Sequence, residues 1–177
     1  MIVARSSPEC HLYIALHPCD CGERTGIDDH RLESGEDNLI AVYEGTCPGC
    51  GTHRRFDFAL DPDLPPIGKF GGTHPSSIID AGEFLAVADD LARSVPANTA
   101  ALDRDTRQRA RMTLGRAIAA LEEVMKFIPP GADGVPPGAL FTPEGRRVYD
   151  REPGRFRLAR LAAVLDVYRD LLAKIGG

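Results

Sequence analysis

Residues 38–60 read NLIAVYEGTCPGCGTHRRFDFAL, and the character of the first half of the chain follows from this stretch. Asn38 to Glu44 is rich in β-formers (Ile40, Val42, Tyr43). Arg54 to Leu60 alternates, with Phe56, Phe58 and Leu60 on one side and Arg55, Asp57 and Ala59 on the other. Period two is the mark of half-buried strands. Between the two runs stands Cys47-Pro48-Gly49-Cys50-Gly51. A Cys-x-x-Cys-Gly turn at a strand end bends the backbone so that both sulfurs face one point. The glycine after the second cysteine lets the chain leave the turn with positive φ at no steric cost.

A second, shorter string lies upstream, Cys19-Asp20-Cys21-Gly22. Zinc in a structural site takes four soft or borderline ligands in a tetrahedron, and four thiolates meet that demand. The expected metal ligands are therefore Cys19, Cys21, Cys47 and Cys50, with Zn²⁺ as cofactor. A closed four-thiolate shell leaves no position for water, so the expected role is structural. Two alternatives stay open: a mixed site in which His17, His53 or Cys10 replaces one cysteine, and thiol–disulfide chemistry at Cys47 and Cys50. Otherwise Cys10 is expected as a buried or free thiol. His11 to His17 alternates, with Leu12, Ile14 and Leu16 on one face, and predicts a strand leading into the first knuckle. The polar stretch Gly22 to Asp37 has room for a loop or a short exposed strand.

On these two turns the chain resembles the zinc-ribbon and rubredoxin-like zinc-knuckle proteins over about residues 10–60. The resemblance implies a three-stranded antiparallel ribbon with one zinc at its end. The first turn departs from the usual pattern, because only one residue separates Cys19 from Cys21. Such ribbons serve polymerases, enzymes, ribosomal proteins and adaptors alike, so the resemblance identifies a site and no activity.

Beyond the knuckles the pattern changes. Pro62, Pro65, Pro66, Gly68, Gly71, Gly72 and Pro75 interrupt regular structure, and residues 63–75 are expected as a link. Three helical stripes follow: Ser77 to Val95, with Ser76 or Ser77 as cap; Asp103 to Ile128, ended by Pro129 and Pro130; and about Gly154 to Ile175. A short helical turn is expected at Thr142 with Pro143 in its first position. The expected fold is α+β: a zinc-ribbon-like module at 1–62, the link, and a three-helix bundle at 76–177.

The 177 residues are 43% hydrophobic and 27% charged, a soluble, globular composition. No apolar run approaches the roughly 20 residues that span a bilayer, so no membrane partner is expected. Met1 to Glu9 holds one arginine and no apolar core, unlike a secretory signal. The chain is therefore expected in the cytoplasm, where close cysteine pairs bind metal or do redox chemistry more often than they form disulfides.

The net charge of −5 is unevenly placed. Residues 1–70 carry six Lys/Arg against twelve Asp/Glu, and the remainder fifteen against fourteen. The first half would repel a phosphate backbone. Arginines crowd two helix starts, Arg104, Arg107, Arg109 and Arg111 on one and Arg155, Arg157 and Arg160 on the other. Such placement opposes the helix macrodipole. Nucleic-acid binding, docking onto the chain's own acidic half and ordinary solvation each account for it. Gly71 to Ser76 precedes a helix and could hold an anion, but lacks the Gly-Lys-Ser/Thr ending of a phosphate loop. No Gly-x-Ser-x-Gly elbow, His-Glu-x-x-His or dinucleotide fingerprint occurs. The expected function is a zinc-stabilised protein–protein interaction module, an adaptor or an immunity or antitoxin-like protein, with a protein partner. The alternative is a zinc-ribbon regulator contacting nucleic acid through the helical arginines. A third is an accessory subunit or enzyme using the Gly71–Ser76 loop.

Overall fold

The computed structural model describes residues 1–63, 65–98 and 102–176; Leu64, in the stretch expected as a link, lies outside the described residues. The architecture is mixed α+β, with a four-stranded sheet and five α-helices among the described residues. Two compact units are present. The first comprises Met1–Gly72 with Ser76–Ile78, the second Thr73–Pro75 with the chain from Ile79 onward.

The first unit is a sheet with one helix. Strands β1 (Ile2–Ala4), β2 (Asp29–Ser34), β3 (Leu39–Thr46) and β4 (His53–Leu60) lie in the order β1-β4-β3-β2. β2, β3 and β4 pair antiparallel, whereas β1 runs parallel to β4. The sheet is therefore mixed, one strand larger than the antiparallel ribbon that the knuckles imply. The two downstream strands occupy the runs expected from the β-formers of residues 38–44 and the alternation of residues 54–60. Phe58 and Phe56 face the core beside Ala41 and Tyr43, while Arg55 and Asp57 face outward in an ion-pair ladder with Glu44 and Arg31.

The segment expected as a strand at His11–His17 is instead helical. Helix α1 runs Ser7–Leu16. Ser6 caps it by accepting from the Glu9 amide at 3.1 Å, and Pro8 stands in the first turn. Cys10, Tyr13 and Ile14, spaced three and four apart, pack on Ala4, Ala41, Tyr43 and Phe58. The alternation of Leu12, Ile14 and Leu16 is compatible with either period over so few residues. The cap breaks the tie.

Arg5 and Glu9 secure this corner. Both side chains are buried, with Arg5 Nη2 2.6 Å and Nε 3.0 Å from Glu9 Oε1, and the Arg5 amide donates to Oε2 at 2.7 Å. Burying two charges is tolerated where they are paired and bonded at close range. The Ser6 hydroxyl donates to the Phe70 carbonyl at 2.6 Å, and a Cβ on Gly71 would lie 2.3 Å from Arg5 Cζ. The Pro/Gly-rich stretch itself, at Phe70 and Gly71, thus closes over the ion pair.

In the second unit, α2 (Ala81–Ser94), α3 (Arg104–Lys126), α4 (Pro143–Arg151) and α5 (Leu158–Gly176) follow the expected stripes with shifted starts. α2 begins four residues later than expected, and its cap is Asp80 rather than Ser76 or Ser77. Asp80 accepts from the Gly82 and Glu83 amides, and Glu83 returns a bond to the Asp80 amide, which closes a capping box. Ser76 instead accepts from the Ile78 amide. α5 begins at Leu158, because a 3-10 turn, Pro153–Phe156, occupies its expected start. α3 packs against both α2 and α5, while α4 packs on α2. The long helices carry Phe84, Leu85, Leu114, Leu121, Leu161 and Leu165 into the interior.

Candidate metal centre

The two knuckles share one backbone design. In the first, the Cys19 amide donates to the Glu23 carbonyl at 2.8 Å and the Gly22 amide to Cys19 at 2.7 Å. In the second, the Cys47 amide donates to Thr52 at 2.9 Å and the Gly51 amide to Cys47 at 2.8 Å. Gly22 and Gly51, each following a cysteine, take φ of 90° and 75°, the left-handed conformation that glycine alone adopts without steric penalty. The second knuckle joins β3 to β4. The first follows α1, not a strand.

The fold brings the four cysteines together. Cys19 Sγ lies 3.5 Å from Cys50 Sγ, Cys21 Sγ lies 3.5 Å from Cys47 Sγ, and all four sulfurs fall within 4.8 Å of one another. A tetrahedron with metal–sulfur bonds of about 2.3 Å has edges of about 3.8 Å, so the set has the spacing of a metal-binding cage. Cys19 and Cys47 are buried while Cys21 and Cys50 are exposed, which gives the cage an inner wall and an open rim. Among the described residues no other group of His, Cys, Asp or Glu converges in this way. Cys10 sits in the core between α1 and the sheet. His17 donates through Nδ1 to the Tyr13 carbonyl, 2.8 Å away, and stacks on the Tyr13 ring. His53 opens β4 as an exposed residue.

Electrostatics divide the four thiols. Thr52 holds Cys50 down to about 6 through its hydroxyl, 3.3 Å from the sulfur, and its amide; Cys19 and Cys21 add to the effect. At Cys21 the Glu23 amide pulls downward, but hydrogen bonding to Cys47 and Cys50, with burial, wins and pushes the thiol up to about 12. Like charges at this spacing cannot all ionise without a cation. A divalent metal removes the conflict, and its binding releases protons.

Arg54 is a residue that the sequence reading missed. It is buried, and its Nη2 donates to the His17 carbonyl, the last turn before Cys19. Its guanidinium lies over the Phe56 ring, 5.1 Å from the centroid, within cation–π range. Arg54 thereby ties the exit of α1 to the strand that leaves the second knuckle. Nothing in the local string His53-Arg54-Arg55 separates this buried guanidinium from its exposed neighbour.

The other expected sites resolve differently. The Gly71–Ser76 loop does not directly precede a helix in the chain, since α2 starts at Ala81, and Asp80 itself accepts from its first amides. The arginines at the start of α3 share that turn with acids. Asp103 caps it through the Thr106 amide and hydroxyl, and Asp105 follows. Arg155 precedes α5 and pairs with Asp89 at 2.6 Å. Arg104, Arg107 and Arg111 lie with Asp105 and Gln108 around one surface depression on α3. Among the described residues no helix is long and apolar enough to cross a membrane.

No protein-family model, curated protein or solved structure matches the chain.

Proposed function

We propose that the first unit is built around one structural zinc ion held by Cys19, Cys21, Cys47 and Cys50, and that the chain is a cytoplasmic protein–protein interaction module of the adaptor or immunity type. The observation that carries the zinc reading is the convergence of four sulfurs from two similarly built knuckles. The donor set fits zinc: thiolates are its preferred structural ligands, and the closed shell leaves no coordination position for chemistry. Because these ligands converge only in the folded chain, metal affinity adds to folding free energy. The domain plan within this reading is a zinc module to about residue 62, a link over 63–75 and a helical part over 76–177.

The interaction reading rests on charge. Residues 1–70 carry a net −6 before any thiolate ionises, and four thiolates with one Zn²⁺ make the unit more acidic. Such a surface suits a basic protein partner. Elemental analysis should find one zinc per chain, and Cys47→Ser should lose the metal and destabilise the first unit; a metal-free chain of undiminished stability overturns the zinc reading. A pull-down from native lysate with nuclease present tests the rest, a stoichiometric protein being the expected result.

One observation favours a second reading, nucleic-acid binding. Arg104, Arg107 and Arg111 share a face of α3. That reading requires binding that weakens steeply with salt, by counterion release, and fails if binding is absent or indifferent to salt.

A further inference from the structure

Among the described residues the outer edge of the sheet is open. β2 pairs with β3 along one side only, and residues 29–32 and 34 are exposed. Proteins blunt such edges with proline, charged side chains (lysine above all), a bulge or a covering element. The charges of β2 alternate in sign, Asp29, Arg31 and Glu33, and so repel a neutral or like-charged strand but not one of complementary pattern. Asp29–Ser34 contains no proline or lysine, and its register against β3 is unbroken from Asp29↔Glu44 to Ser34↔Leu39. α1 packs over Ala4, Ala41, Tyr43 and Phe58. Leu32, opposite Ala41 on that same face, is left 55% exposed.

The ladder tells which backbone groups are free. At the hairpin end the Gly35 amide donates to Asn38 at 2.8 Å. Antiparallel alternation from that bond directs the peptide groups of Glu33 and Arg31 toward β3 and those of Ser34, Leu32 and His30 toward the open edge. An added antiparallel strand must engage these three.

We infer that β2 pairs with β2 of a second copy of this chain, antiparallel about a two-fold axis at Leu32, joining the two sheets into one. The strand's own charges select the partner and the register. Pairing residue 32 with residue 32 sets Arg31 opposite Glu33 twice, places the two leucines on the axis and sets His30 opposite Ser34. Sliding by two residues one way opposes Arg31 to Arg31 and Asp29 to Glu33; sliding the other way opposes Glu33 to Glu33. Slips of one residue mismatch the free backbone groups. Among registers within two residues of it, only the one centred on Leu32 is both bonded and charge-complementary. A four-residue slide that sets Asp29 opposite Arg31 calls on the Asp28 amide, which already donates to the Glu44 carbonyl. Opposite charges directly across a ladder are favourable where like charges are not. Such a self-complementary contact is isologous and closes as a dimer. Arg31 also pairs with Glu33 and Glu44 of its own sheet, which holds it on the outer face.

The inference does not depend on the metal, and it adds a self-partner to the interaction reading. Sedimentation equilibrium of the full chain should show a monomer–dimer equilibrium. Arg31→Glu alone or Glu33→Arg alone turns two attractive pairs into two repulsive ones and should raise the dimer Kd by about tenfold; the double exchange R31E/E33R should restore it. Hydrogen exchange should slow on dimerisation at His30, Leu32 and Ser34 and not at Arg31 or Glu33. A chain monomeric at all concentrations overturns the inference, and so does a dimer indifferent to both single changes. Rescue by the double exchange separates a pairing effect from loss of fold. A failed lysate pull-down with an intact dimer would count against the adaptor reading alone.

Discussion

The carboxylate of Asp80 serves two helix starts: its Oδ2 accepts both the amide and the hydroxyl of Thr142, each at 2.8 Å, while Oδ1 accepts the Gly82 and Glu83 amides at 2.9 Å. Thr142 in turn caps α4 through the Gly145 amide. Two helices of the second unit are joined at their N-termini through one fully buried acid, where both macrodipoles favour negative charge. A Cβ on Gly145 would lie 1.9 Å from Asp80 Oδ1, so the approach requires glycine there.

Asp80→Ala should therefore cost about 3 kcal/mol, more than an ordinary lost cap, because four donors lose an ionised partner together. Thr142→Val removes one of these four bonds together with the α4 cap at the Gly145 amide, and should cost about 2 kcal/mol. Urea unfolding followed by helical circular dichroism measures both. Equal effects from the two changes would show that the carboxylate does not act on both helices.

In the first unit, Glu9→Gln leaves the Arg5 guanidinium buried without its counter-charge and should destabilise by about 3–5 kcal/mol. Gly71→Ala should act on the same pair from the other side, since its methyl would push the buried Arg5 guanidinium away from Glu9. Thermal melts of the single and double variants should show the two losses to be strongly non-additive.

In the metal-free chain, Cys50 should be the first thiol alkylated by iodoacetamide, with a rate midpoint near pH 6 set chiefly by Thr52. Thr52→Val should move that midpoint upward. Zinc should protect the thiol, and protection should fail as the solution is acidified, because protons compete with the metal for sulfur. Mass spectrometry of the labelled peptides identifies the site, and preferential labelling of Cys21 would contradict the assignment.

Cys10 gives stability a pH dependence at the alkaline end. Its thiol is pushed from 9 up to about 12, first by burial and then by the Glu9 carboxylate. The folded chain keeps a proton that the unfolded chain releases. This contribution is fully present below pH 9 and is lost as pH rises toward 12. Cys10→Ala should flatten the decline in denaturant midpoint over that range.

Legibility in the sequence followed the range of the interactions. β3 was readable from its β-formers and β4 from an alternation matched to a face that it buries, and the cysteine turns because the glycine after each cysteine reports a local φ. The α1 error has a local remedy: Ser6-Ser7-Pro8-Glu9 is an S-x-x-E start signal with proline in the first turn, and it outweighs three alternating apolar residues. The late start of α2 was legible in the same way at Asp80-Ala81-Gly82-Glu83. β2 was harder, since an edge strand with little buried surface carries almost no hydrophobic period.

From its sequence alone, this chain is a two-part α+β protein with two cysteine knuckles, because strand period, helix stripe and turn glycine are properties of a few adjacent residues. Tertiary structure assigned the rest: the parallel seat of β1, the convergence of Cys19 with Cys50 and Cys21 with Cys47, the burial of Arg54 but not Arg55, and the sharing of Asp80 between α2 and α4. Each depends on residues distant in the chain that meet only once the core has closed, and on desolvation and geometry that no local pattern encodes.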